Sequence, residues 1–76
     1  MAEKILIADD EQDIVSMLDS YFTRRGYQVL RAYSGAEAVR LAERAPDVIL
    51  LDVGLPDMDG LEVCRRVRRD VVCPIL

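Results

Sequence analysis

The acids of this 76-residue chain gather where apolar stretches end. Lys4-Ile5-Leu6-Ile7-Ala8 stops abruptly at Asp9 and Asp10, with Glu11 and Asp13 close behind, and Val48-Ile49-Leu50-Leu51 stops at Asp52. A carboxylate in such a place is a helix cap, the start of a turn, or a working group whose oxygens suit a hard cation. For the cluster Asp9, Asp10, Glu11 and Asp13 a cation site and a strongly solvated helix start are both open, and charge count alone does not choose between them.

Two strands must hold these acids. The unbroken run Val48–Leu51 reads as a strand buried on both faces, because a strand covered on one side only alternates with polar residues. Gly54, Pro56, Asp57, Asp59 and Gly60 then turn the chain outward. Lys4–Ala8 is a second short apolar strand. After it Ile14, Leu18, Tyr21 and Phe22 recur at helical spacing, flanked by Val15 and Met17, which predicts a helix with this stripe in the core. Arg24 and Arg25 suit the negative end of its dipole, and Gly26 is placed as the left-handed residue that stops it.

Tyr27–Ala32 is more mixed in polarity, which predicts a strand nearer the sheet edge. Ser34 and Glu37 form an S-x-x-E capping box, so a second helix is expected to begin there, with Ala38, Leu41, Ala42 and Ala45 on one face and Pro46 closing it. Asp59 with Glu62 offers another capping pair. Val63, Cys64, Val67 and Val71 mark the buried face of the third helix it would start, and Arg65, Arg66, Arg68 and Arg69 the remaining, solvated surface. Val71–Leu76 begins a fourth strand. Strands alternating with helices predict right-handed crossovers and a parallel sheet, and no repeat, linker or low-complexity stretch interrupts them.

Composition narrows the class. Hydrophobic residues at 51% and charged ones at 32% describe a soluble globular domain, and no apolar run approaches the ~18–20 residues of a membrane span. Met-Ala-Glu-Lys leads straight into the first strand without a signal-peptide pattern, so a cytoplasmic location is expected. A net charge of −4 argues against nucleic-acid binding by this segment. With no histidine in the chain, every histidine-based catalytic scheme is excluded, and Cys64 and Cys73, in no metal-ligand spacing, read as small core residues.

The motifs I-L-I-A-D-D-E and L-D-V-G-L-P-D-M-D-G resemble those of the receiver domain of bacterial two-component response regulators: an acid pair after the first strand and an L-D-x-x-L-P-x-x-D-G turn after the third. The resemblance implies a flavodoxin-like (CheY-like) three-layer α/β/α fold with a parallel sheet in the strand order 2-1-3-4-5, an order that receivers themselves exemplify. In it strands one and three are neighbours, and Asp9, Asp10 and Asp52 converge at the point where the chain reverses direction. Three carboxylates in one cleft repel one another, and a hard divalent ion answers that repulsion. The resemblance implies Mg2+ ligated by Asp10 and Asp52, with Asp9 acting through water and the backbone carbonyl of Gly54 completing the protein's share. It further implies that Asp52 accepts a phosphoryl group from the phosphohistidine of a sensor histidine kinase, the chain being a phosphoacceptor and regulatory domain rather than an enzyme. Phosphohydrolases with a nucleophilic acid after strand one show D-x-D-x-T instead, which D-D-E-Q-D does not fit.

A complete receiver also carries a Ser or Thr after strand four and a Lys after strand five. Here the only lysine is Lys4 and the only threonine is Thr23, in the first helix, so residues 1–76 are expected to be the N-terminal part of a receiver with impaired phosphotransfer and a silent switch. The parent is expected to be a transcription regulator that reaches DNA through a separate effector domain; the alternative is a short, non-switching module that binds a kinase or another receiver. An open apolar edge at Val71–Leu76 predicts self-association of such a fragment, and no membrane partner is expected.

Overall fold

The computed structural model describes residues 3–52 and 54–68. Over that range strands and helices alternate as β1 (Lys4–Ala8), α1 (Gln12–Thr23), β2 (Gln28–Ala32), α2 (Gly35–Leu41) with a 3-10 turn (Ala42–Arg44), β3 (Val48–Leu51) and α3 (Gly60–Val67). The expected fourth strand Val71–Leu76, with Cys73, lies outside the described residues, and so does the open edge to which self-association is attributed.

The three strands are parallel in the order β2-β1-β3. β1 is flanked by β2, with Ala8 opposite Ala32, and by β3, with Ala8 opposite Leu51. Alternation along β1 sorts the core into two layers. Leu6 and Ala8 join Leu30, Ala32 and Ile49 against Ala38 and Ala42 of the α2 segment and Val63 and Val67 of α3. The two alanines leave room for the α2 segment to lie close to the sheet. Ile5 and Ile7 face the other way, onto Val15 of α1, with Leu18, Phe22 and Leu50 packed around them. Helices on both faces of a parallel sheet make the three-layer α/β/α arrangement expected from the sequence. Among the described residues no helix is long and apolar enough to cross a membrane.

Several local expectations are corrected. In β3 only Ile49 is fully buried, while Val48, Leu50 and Leu51 are half-buried. The side chains of β3 that point toward α1 meet a single helix among the described residues, whereas Ile49 is sealed between the sheet and two. In α1 the residue placed on the flank, Val15, is the one fully buried; Tyr21 and Met17 are exposed, and Ile14, Leu18 and Phe22 are half-buried. The stripe is centred on Val15, Leu18 and Phe22, which leaves Tyr21 at its margin. There its ring lies 3.7 Å beneath the Arg25 guanidinium, a cation–π contact that uses the exposed face.

The helical face assigned to Ala45 is also shorter than expected. The chain tightens to a 3-10 turn after Leu41, and Ala45, exposed with φ of 55°, leaves the helix before Pro46. A residue preceding proline is disfavoured in the right-handed helical region, which accounts for the break at that point. Gly26 has φ of 89° and ends the α1 segment in the left-handed conformation, as its position implied.

Candidate functional site

Asp52 begins where the β1–β3 ladder ends: its N–H donates to the Ala8 carbonyl at 2.9 Å. On the other side of β1 the Asp9 N–H donates to the Ala32 carbonyl at 3.0 Å. Each acid is thus fixed by its backbone to the neighbouring strand, at the carboxyl edge of the sheet. From here β1 runs to α1 on one face and β3 runs to α3 on the other, and the divergence opens a crevice between them. The carboxylates of Asp9, Asp10 and Asp52 offer oxygens that all lie within 4.8 Å of one another. Asp9 and Asp52 are half-buried and Asp10 is exposed. The adjoining cleft, about 220 Å³, is walled by Ile7, Leu18 and Leu50, with Asp9 and Asp52 at its polar side.

The local roles open to these acids are visible but do not account for their convergence. Asp9 Oδ1 accepts the Glu11 N–H at 2.9 Å, closing a short turn before α1, and α1 itself has no side-chain cap. Asp52 Oδ1 accepts the Gly54 N–H at 3.1 Å. A Cβ on Gly54 would lie 3.7 and 3.8 Å from the two Asp52 carboxylate oxygens, so the Gly54 backbone stands directly against that group. Three carboxylates on one side of a crevice, with a backbone segment beside them, supply oxygen donors alone. That donor set fits a hard divalent cation such as Mg2+.

The loop carrying Gly54 is pinned on both sides. Leu55 is buried in the layer beneath α2 and α3. Asp57 accepts the N–H of Gly35 at 2.7 Å through Oδ1 and that of Ala36 at 3.0 Å through Oδ2. These bonds, that to Gly35 foremost and then that to Ala36, hold the Asp57 carboxyl below the usual carboxylate range. Asp59 caps α3, its Oδ1 accepting from Leu61 at 2.7 Å and Glu62 at 3.1 Å.

The start of α2 differs from a simple capping box. Ser34 Oγ accepts the Glu37 N–H at 3.2 Å as expected, but the Glu37 carboxylate accepts from the Tyr33 N–H at 3.0 Å rather than from Ser34. The first two helical N–H groups, which a capping box leaves open, are the two taken by Asp57. Sequence reasoning gave Asp57 only a role in turning the chain. Its partners lie 22 and 21 positions earlier, and no local spacing announces them.

The arginine face of α3 is neutralised in part by Glu62, which pairs with Arg65 at 3.5 Å and Arg66 at 3.1 Å. Cys64, expected in the core, is half-buried beside them.

Residues 5–76 match the family described as "Response regulator receiver domain". Among solved structures the chain is similar to the chemotaxis response regulator CheY4 of Vibrio cholerae, with 38% identity and a TM-score of 0.84 over 90% of this chain and 57% of that one. It is similar to a two-component response regulator from Clostridium difficile at 32% identity and a TM-score of 0.89, covering 96% of this chain and 61% of that one. A receiver domain from the hybrid histidine kinase CckA matches at 28% identity and a TM-score of 0.84, over 96% of this chain and 82% of that one. The chain spans somewhat more than half the length of the first two of these proteins.

Proposed function

This chain belongs to the response regulator receiver domain family, and from that membership we propose that it is a phosphoacceptor in which Asp52 takes a phosphoryl group from the phosphohistidine of a sensor kinase. The observation that carries this reading is the convergence of the Asp9, Asp10 and Asp52 carboxylates at the carboxyl edge of β1 and β3. In this reading Asp9, Asp10, Asp52 and the Gly54 carbonyl hold Mg2+. The ion would offset negative charge on the incoming phosphoryl oxygens, leaving positioning and electrostatics as most of the catalytic task.

The chain's own residues supply the rest. The ladder bond from Asp52 to Ala8 fixes the root of the nucleophile, and the Gly54 N–H holds one of its two oxygens. A carboxylate oxygen of Asp52 attacks phosphorus; the bond from phosphorus to the donor's imidazole nitrogen breaks, and its electron pair stays on the imidazole. The acyl phosphate so formed adds a charge of roughly −1.5 to −2 to the loop, enough to bias a switch. The chain is the substrate of this transfer and regenerates on hydrolysis of the acyl phosphate. The L-P-D-M-D-G-L-E-V-C-R-R-V-R run supports a further reading of the whole protein as a transcription regulator whose DNA contacts lie in another domain. The pairing of Arg65 and Arg66 with Glu62 supports leaving DNA binding to that domain.

Incubation with acetyl phosphate and Mg2+, followed by peptide mass spectrometry, tests the proposal. Slow and partial labelling of Asp52, lost in Asp52→Asn and on chelation of the metal, is expected. A phosphoryl group that survives Asp52→Asn, or one that forms equally well after the metal is chelated, overturns it.

A further inference from the structure

The bridge from Asp57 ties the loop that carries Gly54 to the start of α2. We propose that Asp57 is a positioning residue: by tying the loop after β3 to the N–H groups of Gly35 and Ala36, it sets the Gly54 backbone against Asp52 and so preorganises the cation site. This rests on the reading of Asp9, Asp10, Asp52 and Gly54 as that site.

Two independent features point to it. The first is how the loop is fastened. Asp52 is fixed by its bond to Ala8, Leu55 by burial, Asp57 by α2 and Asp59 by its cap on α3, whereas Gly54 is exposed and, among the described residues, donates its N–H to Asp52. The place of the Gly54 carbonyl is therefore decided by the anchors downstream of it. Of these, Asp57 alone reaches a different helix through hydrogen bonds. Without that anchor the descent from Asp52 to α3 would lose its hydrogen bonds to α2 and rest on the packing of Leu55 and Met58 and the Asp59 cap, since glycine adds no side-chain contact of its own.

The second is what stands opposite. Gly35 is buried, and a Cβ there would come to 2.9 Å from the Met58 Cβ, 3.2 Å from Asp57 Oδ1 and 3.2 Å from Val63 Cγ2. The contact with Met58 is tighter than real side chains allow, so only glycine lets the loop approach α2 this closely. A carboxylate on the loop and a missing side chain on α2 are fitted to the same junction. A cap serving α2 alone would need the carboxylate but would not need the Met58 side chain pressed against the helix.

The test separates positioning from charge and from simple stability. Mg2+ affinity is measured by NMR titration, and amide hydrogen exchange of Gly54 is followed without metal, in the unaltered protein and in Asp57→Ala, Asp57→Asn, Gly35→Ala and Asp52→Asn. Asp57→Ala and Gly35→Ala are expected to weaken Mg2+ binding by about 10-fold, within the range for groups that orient metal ligands, and to speed Gly54 exchange. Asp57→Asn, which loses the charge and keeps one acceptor, is expected to stay nearer the unaltered protein. Equal losses in Asp57→Asn and Asp57→Ala would assign the effect to charge and overturn the proposal. Unchanged affinity and Gly54 exchange in Asp57→Ala, with Asp52→Asn still weakening Mg2+, would also overturn it and leave the site intact. If Asp52→Asn has no effect on Mg2+, it is the site itself that fails. Should Asp57→Ala not fold, Gly35→Ala, which retains the carboxylate, decides by the same two measurements.

Discussion

Asp52 donates its backbone N–H to the carbonyl of Ala8 across 2.9 Å, the last rung of the pairing between β3 and β1. Asp9 directly follows Ala8, so this one rung brings Asp52 level with the acid pair. Had β1 and β3 not been neighbours, the same acids would be ordinary turn residues at separate strand ends.

Magnesium titration should therefore perturb the amides around Asp9, Asp10, Asp52 and Gly54 and leave those of α1's far end, near Thr23, unmoved. Asp52→Asn removes a charged oxygen donor and is expected to weaken binding by at least about 10-fold, no less than the loss of an outer-shell partner. Shifts spread evenly along the chain would contradict a local site.

The stabilising effect of Asp57 should depend on acid. Its carboxyl is held below the usual value by the Gly35 and Ala36 N–H groups, so the folded state binds its proton more weakly than the unfolded chain does. The stability this contributes is present above the unfolded value of about 3.9 and is lost as pH falls through the lower folded value. Denaturant midpoints of the unaltered protein and Asp57→Ala should differ at neutral pH and converge in strong acid. A gap that widens on acidification would reverse the assignment.

Core and surface positions should separate clearly. Ile49 is 1% exposed between the sheet and two helices, whereas Leu61 is 73% exposed on α3. Ile49→Ala is expected to cost about 2–5 kcal/mol and Leu61→Ala to fall within about 0.5 kcal/mol, measured by chemical denaturation.

Gly26 gives a case of backbone strain without crowding, because nothing lies within 4 Å of where a Cβ would stand and φ is 89°. Gly26→Ala should cost about 1–2 kcal/mol, the penalty for placing an L-residue in the left-handed region. A neutral effect on thermal unfolding would mean that the turn after α1 relaxes freely.

The ion pair of Arg31 with Asp19 links β2 to α1, and Thr23 donates to the same carboxylate. The Thr23 hydroxyl first, and then Arg31, hold the Asp19 carboxyl below its usual range, so this contribution too is present above the unfolded value and is lost as pH falls through the folded one. Both partners reach solvent, and Arg31→Ala is expected to lower the denaturation midpoint only slightly at neutral pH, with the difference vanishing in strong acid.

The sequence by itself determined the features that depend on near neighbours. Apolar runs ending in acid marked β1 and β3 and put Asp9, Asp10 and Asp52 at strand ends; Gly26 marked the end of α1's segment, and Ser34 and Asp59 marked helix starts. These are legible because strand burial, helix spacing and capping act over a few residues. The family motifs then supplied the neighbour relation that periodicity lacks. Tertiary structure alone decided that Asp57 reaches Gly35 and Ala36, that Glu37 turns to Tyr33, and that Val15 rather than Tyr21 is the residue of α1 that enters the core. A carboxylate takes whichever backbone donors the fold leaves unpaired beside it, and a helix turns to the sheet the residues that the strands beneath can cover. Both outcomes depend on surfaces brought together from distant parts of the chain, and spacing along the sequence does not encode them.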